Sequence, residues 1–219
     1  LKPLFPKHIM IKEVCPDVKG QYEFFKRTVL KNAGELSEGQ LVQRLKKEKQ
    51  VLCILNSRRR VQQVYQALKD EGAAIHLSTF MYPKHRKRLL KTVRELLKNG
   101  MPCRLVSTSL VEAGVDFDFQ TVYRELAGVD SVIQAAGRCN REGKRPREDC
   151  STIIFTLEKN DGIHNPSTLK LPIKVAEQVV EEYEDITSLE AIDSYFSRLY
   201  HFKGEGLDAK NIVGQLEDG

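Results

Sequence analysis

Apolar and polar residues alternate along the chain in two patterns that follow each other in turn. Residues 51–55 are a nearly continuous apolar run, which is typical of a strand buried on both faces of a parallel sheet. Residues 83–98 instead space their apolar positions as on the buried face of a helix. The predicted strands are residues 51–55, 73–77, 104–107, 121–124 and 151–157, and the predicted helices between them are residues 58–71, 83–98 and 131–137.

Residues that favour helix ends support these boundaries. Ser37 and Gln40 fit a capping box, which predicts a helix from there to about residue 49. Asn56 and Ser57 can cap the helix that follows the first predicted strand, and Asp130 is expected to cap the helix near residue 131.

Strands alternating with helices predict an α/β fold, in which a parallel sheet carries helices on both faces. We expect three regions. Residues 1–50 supply a helix and lead-in strands at 7–14 and 23–30, and residues 51–160 form the core of the α/β domain. Residues 161–219 form a loop and a short helical extension towards a missing C-terminal domain. The helices expected in that extension are about residues 173–184 and 188–200.

Composition narrows the class of protein. The chain has 219 residues, of which 41% are hydrophobic and 30% charged, as in an ordinary globular protein. No apolar run approaches the roughly 18 residues that span a bilayer, and residues 1–6 lack the long apolar stretch of a signal peptide. Its five cysteines form no C-x-x-C pair, which predicts reduced thiols and a cytoplasmic protein without a metal site. Since no Met begins the sequence, we expect a fragment of a larger protein.

Charge is unevenly distributed along the chain. The net charge is +5, yet residues 177–219 contain 11 acidic and 3 basic residues, so that residues 1–176 carry +13. A basic body with an acidic tail is compatible with a surface that binds polyanions. A Lys-rich solvated surface explains the same pattern equally well.

One segment carries an unusual set of polar residues. Gln134, Arg138 and Arg141 are spaced by four and three residues, so that on a helix running into a turn they share one face, and Gly137 allows close approach of another surface. The planar guanidinium matches phosphate oxygens and keeps its charge, which suits it to a triphosphate. Such an arginine can stabilise charge on a transferring phosphoryl group. The alternative is a surface helix with two solvated arginines.

Three segments together resemble the sequence motifs of superfamily 2 helicases. Residues 134–141, with the pattern Q-x-x-G-R-x-x-R, are similar to motif VI. Residues 106–116 resemble motif V, and residues 52–57 resemble motif IV. All three occur in the expected order and cover about residues 51–157. The resemblance implies the second RecA-like lobe of an ATP-driven nucleic-acid helicase or translocase.

A narrower resemblance is to the CRISPR-associated helicase–nuclease of type I systems. The segments that carry it are residues 107–119 with Tyr123-Arg124, residues 76–79 with Pro83, His85 and Arg86, residues 130–134, and Tyr195-Phe196 with Leu199-Tyr200. The chain departs from that family at Phe80-Met81-Tyr82, where Arg-Met-Cys is frequent, and so it lacks a basic residue at position 80.

This resemblance implies that the intact protein pulls single-stranded DNA through a cleft between two lobes, using ATP whose Mg²⁺ is held by the missing first lobe. The implied catalytic residues are Gln134, Arg138 and Arg141, and the implied nucleotide-binding residues are Gly114, Asp116 and Gly137. The implied strand contacts are Asn56, Ser57, Arg58, Thr79, Arg86, Thr108 and Ser109. Short polar side chains at strand ends suit phosphate contacts that do not depend on sequence, although they also suit helix caps. Asp116 is nearly as well explained as a turn residue.

Two further features bear on function. Seven basic side chains lie on the helix 83–98 against Glu95 alone; we favour a solvated face, with Arg86, nearest the strand end, as the exception. The chain contains no G-x-x-x-x-G-K-[ST] loop, which would hold the phosphates of ATP, and no Asp-Glu-Ala/Cys-His motif, which would hold Mg²⁺. We therefore predict that the chain alone hydrolyses no ATP at a useful rate.

The implied partners are single-stranded DNA, the first RecA-like lobe and an HD-type nuclease domain of the same polypeptide, and the CRISPR RNA-guided surveillance complex, with no membrane. Together they would degrade invading DNA in antiviral defence. Two alternatives stay open at this point. One is a lobe of another superfamily 2 helicase or translocase acting on RNA or DNA. The other is a non-catalytic module that docks nucleic acid.

Overall fold

The computed structural model describes residues 12–112, 114–159, 162–204, 206, 211–212 and 215. In this part of the chain, strands and helices alternate almost throughout. The strands are β1 (Val29–Leu36), β2 (Gln50–Ile54), β3 (Ala74–Leu77), β4 (Cys103–Ser107), β5 (Thr121–Glu125) and β6 (Ser151–Leu157). The helices are α1 (Val18–Phe25), α2 (Glu38–Lys47), α3 (Arg58–Leu68), α4 (Pro83–Lys98), α5 (Val129–Ala136), α6 (Lys170–Glu182) and α7 (Leu189–Lys203).

The strands form one parallel sheet in the order β1-β6-β5-β2-β4-β3. Strand β2 lies in the middle, where Ile54 is opposite Ser107 on one side and Arg124 on the other. The carboxyl ends of β5, β2 and β4 are therefore neighbours. Since the candidate motifs follow these strands, the topology brings them together. In parallel sheets of this kind, ligands bind at the carboxyl ends of the strands.

Both faces of the sheet are covered, as the apolar run in β2 predicts. Val51 and Cys53 pack with α2 and α3 on one face, whereas Leu52 and Ile54 pack with α4 and α5 on the other. Helices α6 and α7 extend the helical layer on the α4 and α5 face of the sheet, and Tyr195 of α7 is completely buried there. The prediction of a parallel α/β sheet with a helical extension is confirmed.

The sequence prediction was wrong upstream of β1. Residues 23–25 of the predicted lead-in strand 23–30 belong instead to helix α1, which the Asp17 side chain caps by accepting the Gly20 amide at 2.8 Å, whereas residues 29–30 begin β1. The two phenylalanines of α1 imitate a buried strand, yet Phe24 is 80% and Phe25 60% exposed. Most of the other predicted lead-in strand, residues 7–14, lies outside the described residues, and the described part has no regular structure.

Helix caps were predicted with mixed success. The capping box of Ser37 and Gln40 is confirmed at the start of α2. Ser57 occupies the N-cap of α3, but its side chain accepts no capping hydrogen bond. Asp130 is not a cap, since Gly128 takes that position. Its carboxylate instead accepts a hydrogen bond from the Tyr195 hydroxyl at 3.2 Å, which ties α5 to α7.

Two further properties concern the class of protein. All five cysteines are free thiols, and Cys53 and Cys103 are completely buried within the sheet. Burial raises the pKa of the Cys103 thiol to about 12, which makes it an inert core side chain. Among the described helices, none has the length and apolar character that a bilayer crossing requires.

Candidate functional site

The end of α5 places two arginines against the segment that follows β4. The helix tightens after Ala136, where the Arg138 amide donates to the Ala135 carbonyl at 2.9 Å. The chain then runs beside Phe119, whose amide donates to the Arg138 carbonyl at 3.0 Å. This pairing fixes the direction in which both arginine side chains leave the backbone.

Arg138 is directed inward. Only 8% of the residue is exposed, and its guanidinium donates to the Glu112 carbonyl at 2.5 Å and also to the Val115 carbonyl. These two carbonyls lie on the loop between β4 and β5. Because a positive group donates to both, Arg138 holds that loop against the end of α5.

Arg141 is directed outward. Its guanidinium forms an ion pair with Asp116 at 2.9 Å, and the Asp116 side chain is 81% exposed. The carbonyl of Arg141 accepts a hydrogen bond from Arg27, which leads into β1. A water-exposed pair of this kind is weak and can exchange partners. Arg141 is therefore available to another anion.

Charges of both signs surround Arg138. Burial lowers the pKa of Arg138 and the adjacent Arg141 lowers it further, while Asp116 and Glu112 act in the opposite direction. The loop passes through Gly114 with a φ of +71°, a conformation that favours glycine. The exposed guanidinium of Arg141, paired only with the exposed Asp116, is of a kind that favours phosphate oxygens.

The structure thus brings Arg138, Arg141 and Asp116 together. Gln134 lies on the last turn of α5 and is exposed, as is Gly137 at the C-cap. No contact joins Gln134 to the arginines, so the single face predicted for all three stays a prediction. Among the described residues, no group of His, Cys, Asp or Glu side chains is placed to hold a metal ion.

A buried polar network lies beneath the carboxyl ends of β2 and β5. Arg124 is 1% exposed and pairs with the Glu112 carboxylate at 2.9 Å. It also donates to the Asn56 side-chain oxygen at 2.7 Å. The backbone amide of Asn56 in turn donates to the Glu125 carboxylate at 2.7 Å, and the Arg60 guanidinium lies 3.6 Å from that carboxylate. Segments resembling motifs IV and V are thereby joined through β5.

Burial disfavours the charged forms of Glu112, Arg124 and Glu125. It raises the pKa of Glu112, which Arg124 opposes, and it lowers the pKa of Arg124, which Glu112 opposes. Burial likewise raises the pKa of Glu125, while the Asn56 amide and Arg60 lower it. Each charge is tolerated because a partner of opposite sign or a hydrogen bond meets it. Sequence reasoning missed this network, although two charges at the end of the apolar strand β5 were its signal.

The predicted strand contacts fall into two groups. Ser57, Arg58, Thr79, Arg86 and Ser109 lie at or after the carboxyl ends of β2, β3 and β4 and reach the surface. Asn56 also lies there, but its side chain is occupied by Arg124 and by the Leu126 carbonyl at 2.8 Å. Thr108 needs correction as a surface contact, since it is 8% exposed and its hydroxyl oxygen is buried without a partner.

One surface feature was not foreseen. The Arg58 guanidinium lies over the Phe80 ring, with its central carbon 3.6 Å from the ring centroid. Phe80 is nevertheless 79% exposed, so the remaining surface of the ring faces solvent. Sequence reasoning treated position 80 only as the loss of a basic residue.

The fold defines a class of structure, since the six-stranded parallel sheet with helices on both faces is that of a RecA-like lobe. A solved structure with this fold is "T. fusca Cas3-ADP", which matches with a TM-score of 0.60 at 18% identity. The match covers 88% of this chain and 26% of that one.

Sequence comparison narrows the class. Residues 47–144 match the family model described as CRISPR-associated nuclease/helicase Cas3, C-terminal. The Cas3 of Haloferax volcanii is 38% identical over 79 residues, which are 36% of this chain and 8% of that protein. A Cas3 of Methanocaldococcus jannaschii is 32% identical over 114 residues, or 50% and 16%. The predicted resemblance to the second lobe of the CRISPR-associated helicase–nuclease is therefore confirmed, and the chain spans a small part of the relatives it matches.

Proposed function

We propose that this chain is the lobe of a CRISPR-associated helicase that completes the ATP site and holds one side of a single-stranded DNA track. In the intact protein, ATP hydrolysis would drive that strand past the lobe so that invading DNA can be degraded. The observation that carries the proposal is the pair Arg138 and Arg141, of which Arg141 forms an exposed ion pair with Asp116 and Arg138 holds the loop that carries Asp116.

We assign the two arginines different tasks. Arg141 is the exposed one, and its weak pair with Asp116 can give way to a phosphate, so it would be the arginine that stabilises the transferring phosphoryl group. Arg138 is held by the Glu112 and Val115 carbonyls and would position the loop around Gly114 and Asp116. ATP supplies the bond that is broken, while the first lobe would bind most of the nucleotide together with Mg²⁺. The HD-type nuclease domain and the RNA-guided complex are proposed partners because of the resemblance to the CRISPR-associated helicase–nuclease.

The strand track would follow the carboxyl ends of β2, β4 and β3. Hydroxyl and guanidinium groups at Ser57, Arg58, Thr79, Arg86 and Ser109 are positioned to meet phosphates there without contact to base edges. The buried pair Glu112–Arg124 lies between this track and the arginines, since Glu112 offers its carbonyl to Arg138 and its carboxylate to Arg124. Motion at the nucleotide would reach the strand through these groups.

The test is the Arg141→Ala variant of the intact protein. We expect loss of ATP-driven movement along single-stranded DNA, by about 10³-fold or more for a lost arginine finger, while strand affinity without ATP is kept. Arg147→Ala is the matched control, since Arg147 is an exposed arginine on a short turn before β6. Equal loss of strand binding and movement would contradict the assignment. Strand displacement on RNA rather than DNA would favour another superfamily 2 helicase.

A further inference from the structure

The turn between β3 and α4 presents an aromatic ring to solvent in a fixed position. The turn is closed by the Met81 amide, which donates to the Ser78 carbonyl at 3.2 Å. The Met81 side chain packs against the hydrophobic core on the α4 face of the sheet. Phe80 precedes this anchor and points outward, with 79% of its surface exposed.

The ring is ordered from one side. Arg58, the first residue of α3, stacks its guanidinium on Phe80 at 3.6 Å from the centroid. A guanidinium on one face holds the ring by a cation–π interaction and leaves the opposite face available. An aromatic ring that is positioned but uncovered is suited to stack on a flat ligand.

The surroundings identify the chemistry of that ligand. Thr79 precedes Phe80 in the chain, and α4 begins directly after Tyr82 with a basic surface that includes Lys84 and Arg86. Strand β3 is the edge of the sheet, so Phe80 lies at one end of the row of strand-end residues. Basic groups that follow a phosphate backbone, combined with an aromatic platform, are the combination that binds single-stranded nucleic acid.

We propose that Phe80, backed by Arg58, is a stacking platform for one nucleobase of the single strand at the β3 edge of the lobe. The inference rests on the proposed strand track and adds to it a contact with a base rather than with phosphate. It also explains how the chain manages without a basic residue at position 80: the strand gains a stacking partner where a phosphate contact is absent.

The chain offers a direct probe, because it contains no tryptophan. In the Phe80→Trp variant, the new indole should be quenched when an oligothymidylate binds, and much less by a strand of the same length whose residues are abasic. The matched control is Phe202→Trp, which replaces a 56% exposed phenylalanine on α7 and should respond to neither strand.

Affinity provides the second measurement. Stacking of one base corresponds to a roughly 5- to 150-fold change in affinity, so Phe80→Ala should weaken binding of oligothymidylate by that factor. Binding of the abasic strand should be unchanged, and Phe80→Tyr should restore binding of the normal strand. Arg58→Gln should weaken both strands, because it removes a positive charge as well as the support for the ring.

Outcomes separate this inference from the proposed function. If Phe80→Ala weakens neither strand, or weakens both equally, the stacking platform is refuted while a phosphate-bound strand track stands. An indole at position 80 of the intact protein that is already shielded from solvent without DNA would also refute it, since another domain would then cover the ring. If neither strand binds the intact protein, the strand track itself fails.

Discussion

Two sets of basic side chains differ sharply in what surrounds them. Arg124 and Arg138 are 1% and 8% exposed, and carboxylate or carbonyl oxygens meet their guanidiniums. Helix α4 instead carries its basic residues on the surface, as with Lys91, which is 78% exposed and 3.8 Å from Glu95. Side chains of the same charge therefore have different roles, depending on whether they are buried or exposed. The buried arginines join segments of the chain, and the exposed basic residues contribute to the electrostatic field that the proposed anionic strand would meet.

The cost of losing a buried arginine should be the largest effect. Arg124→Ala leaves Glu112 buried without its partner and removes the donor to Asn56, so we expect a loss of about 3–5 kcal/mol in the free energy of unfolding. Urea denaturation of the chain followed by circular dichroism measures it. Lys91→Ala is the exposed control and should stay within about 0.5 kcal/mol.

A double variant sharpens the comparison. Arg124→Met combined with Glu112→Leu removes both charges, so that neither is left unpaired, and should recover part of the stability that Arg124→Ala loses. If the single variant costs less than about 1 kcal/mol, the network does not hold the lobe together in the way that its geometry indicates.

A smaller loss is expected at the second buried arginine. Arg138→Ala removes a charged donor from the Glu112 and Val115 carbonyls, which should cost about 1.5–3 kcal/mol of stability. Arg141→Ala, whose partner Asp116 is exposed, should cost at most about 1 kcal/mol. Equal losses for the two variants in the same denaturation experiment would contradict the separate tasks assigned to them.

The smallest effect concerns the exposed helix. Arg86→Ala should leave stability unchanged but lower the slope of strand affinity against salt concentration, both on logarithmic scales, by about 0.7 for the loss of one phosphate contact. Lys91→Ala, farther along α4, should leave that slope unchanged if most of the helix is a solvated face. A similar decrease for both would mean that the whole helix follows the strand.

The fold could be predicted because its signals are local. Three local signals were predicted correctly and each acts over a few residues: the continuous apolar run of β2, the capping box of Ser37 and the helix that begins at Pro83. Helix α1 was missed because its apolar residues do not face a core, so the usual relation between apolar runs and buried strands fails there. The cap expected from Asp130 failed because α5 begins at Val129, which puts Gly128 at the N-cap, and the Asp130 carboxylate binds the distant Tyr195 instead.

The candidate site divides in the same way. The spacing of Arg138 and Arg141 marked the segment, but it could not indicate that one guanidinium turns inward and the other outward. That difference depends on the pairing of Phe119 with the chain after α5, which joins residues about twenty positions apart. The stacking of Arg58 on Phe80 joins the ends of two different strands and has no local signal either.

By itself, the sequence determined the order of strands and helices, the two-sided burial of the sheet and the segments that resemble helicase motifs. All three features follow from side-chain periodicity and short-range hydrogen bonds, which depend only on residues that are close together in the sequence. Only the tertiary structure decided which charges are buried, which polar groups meet and which ring stays open to solvent. Burial and ion pairing depend on what lies across a gap of a few ångströms, and the adjacent strands that determine it come from distant parts of the chain.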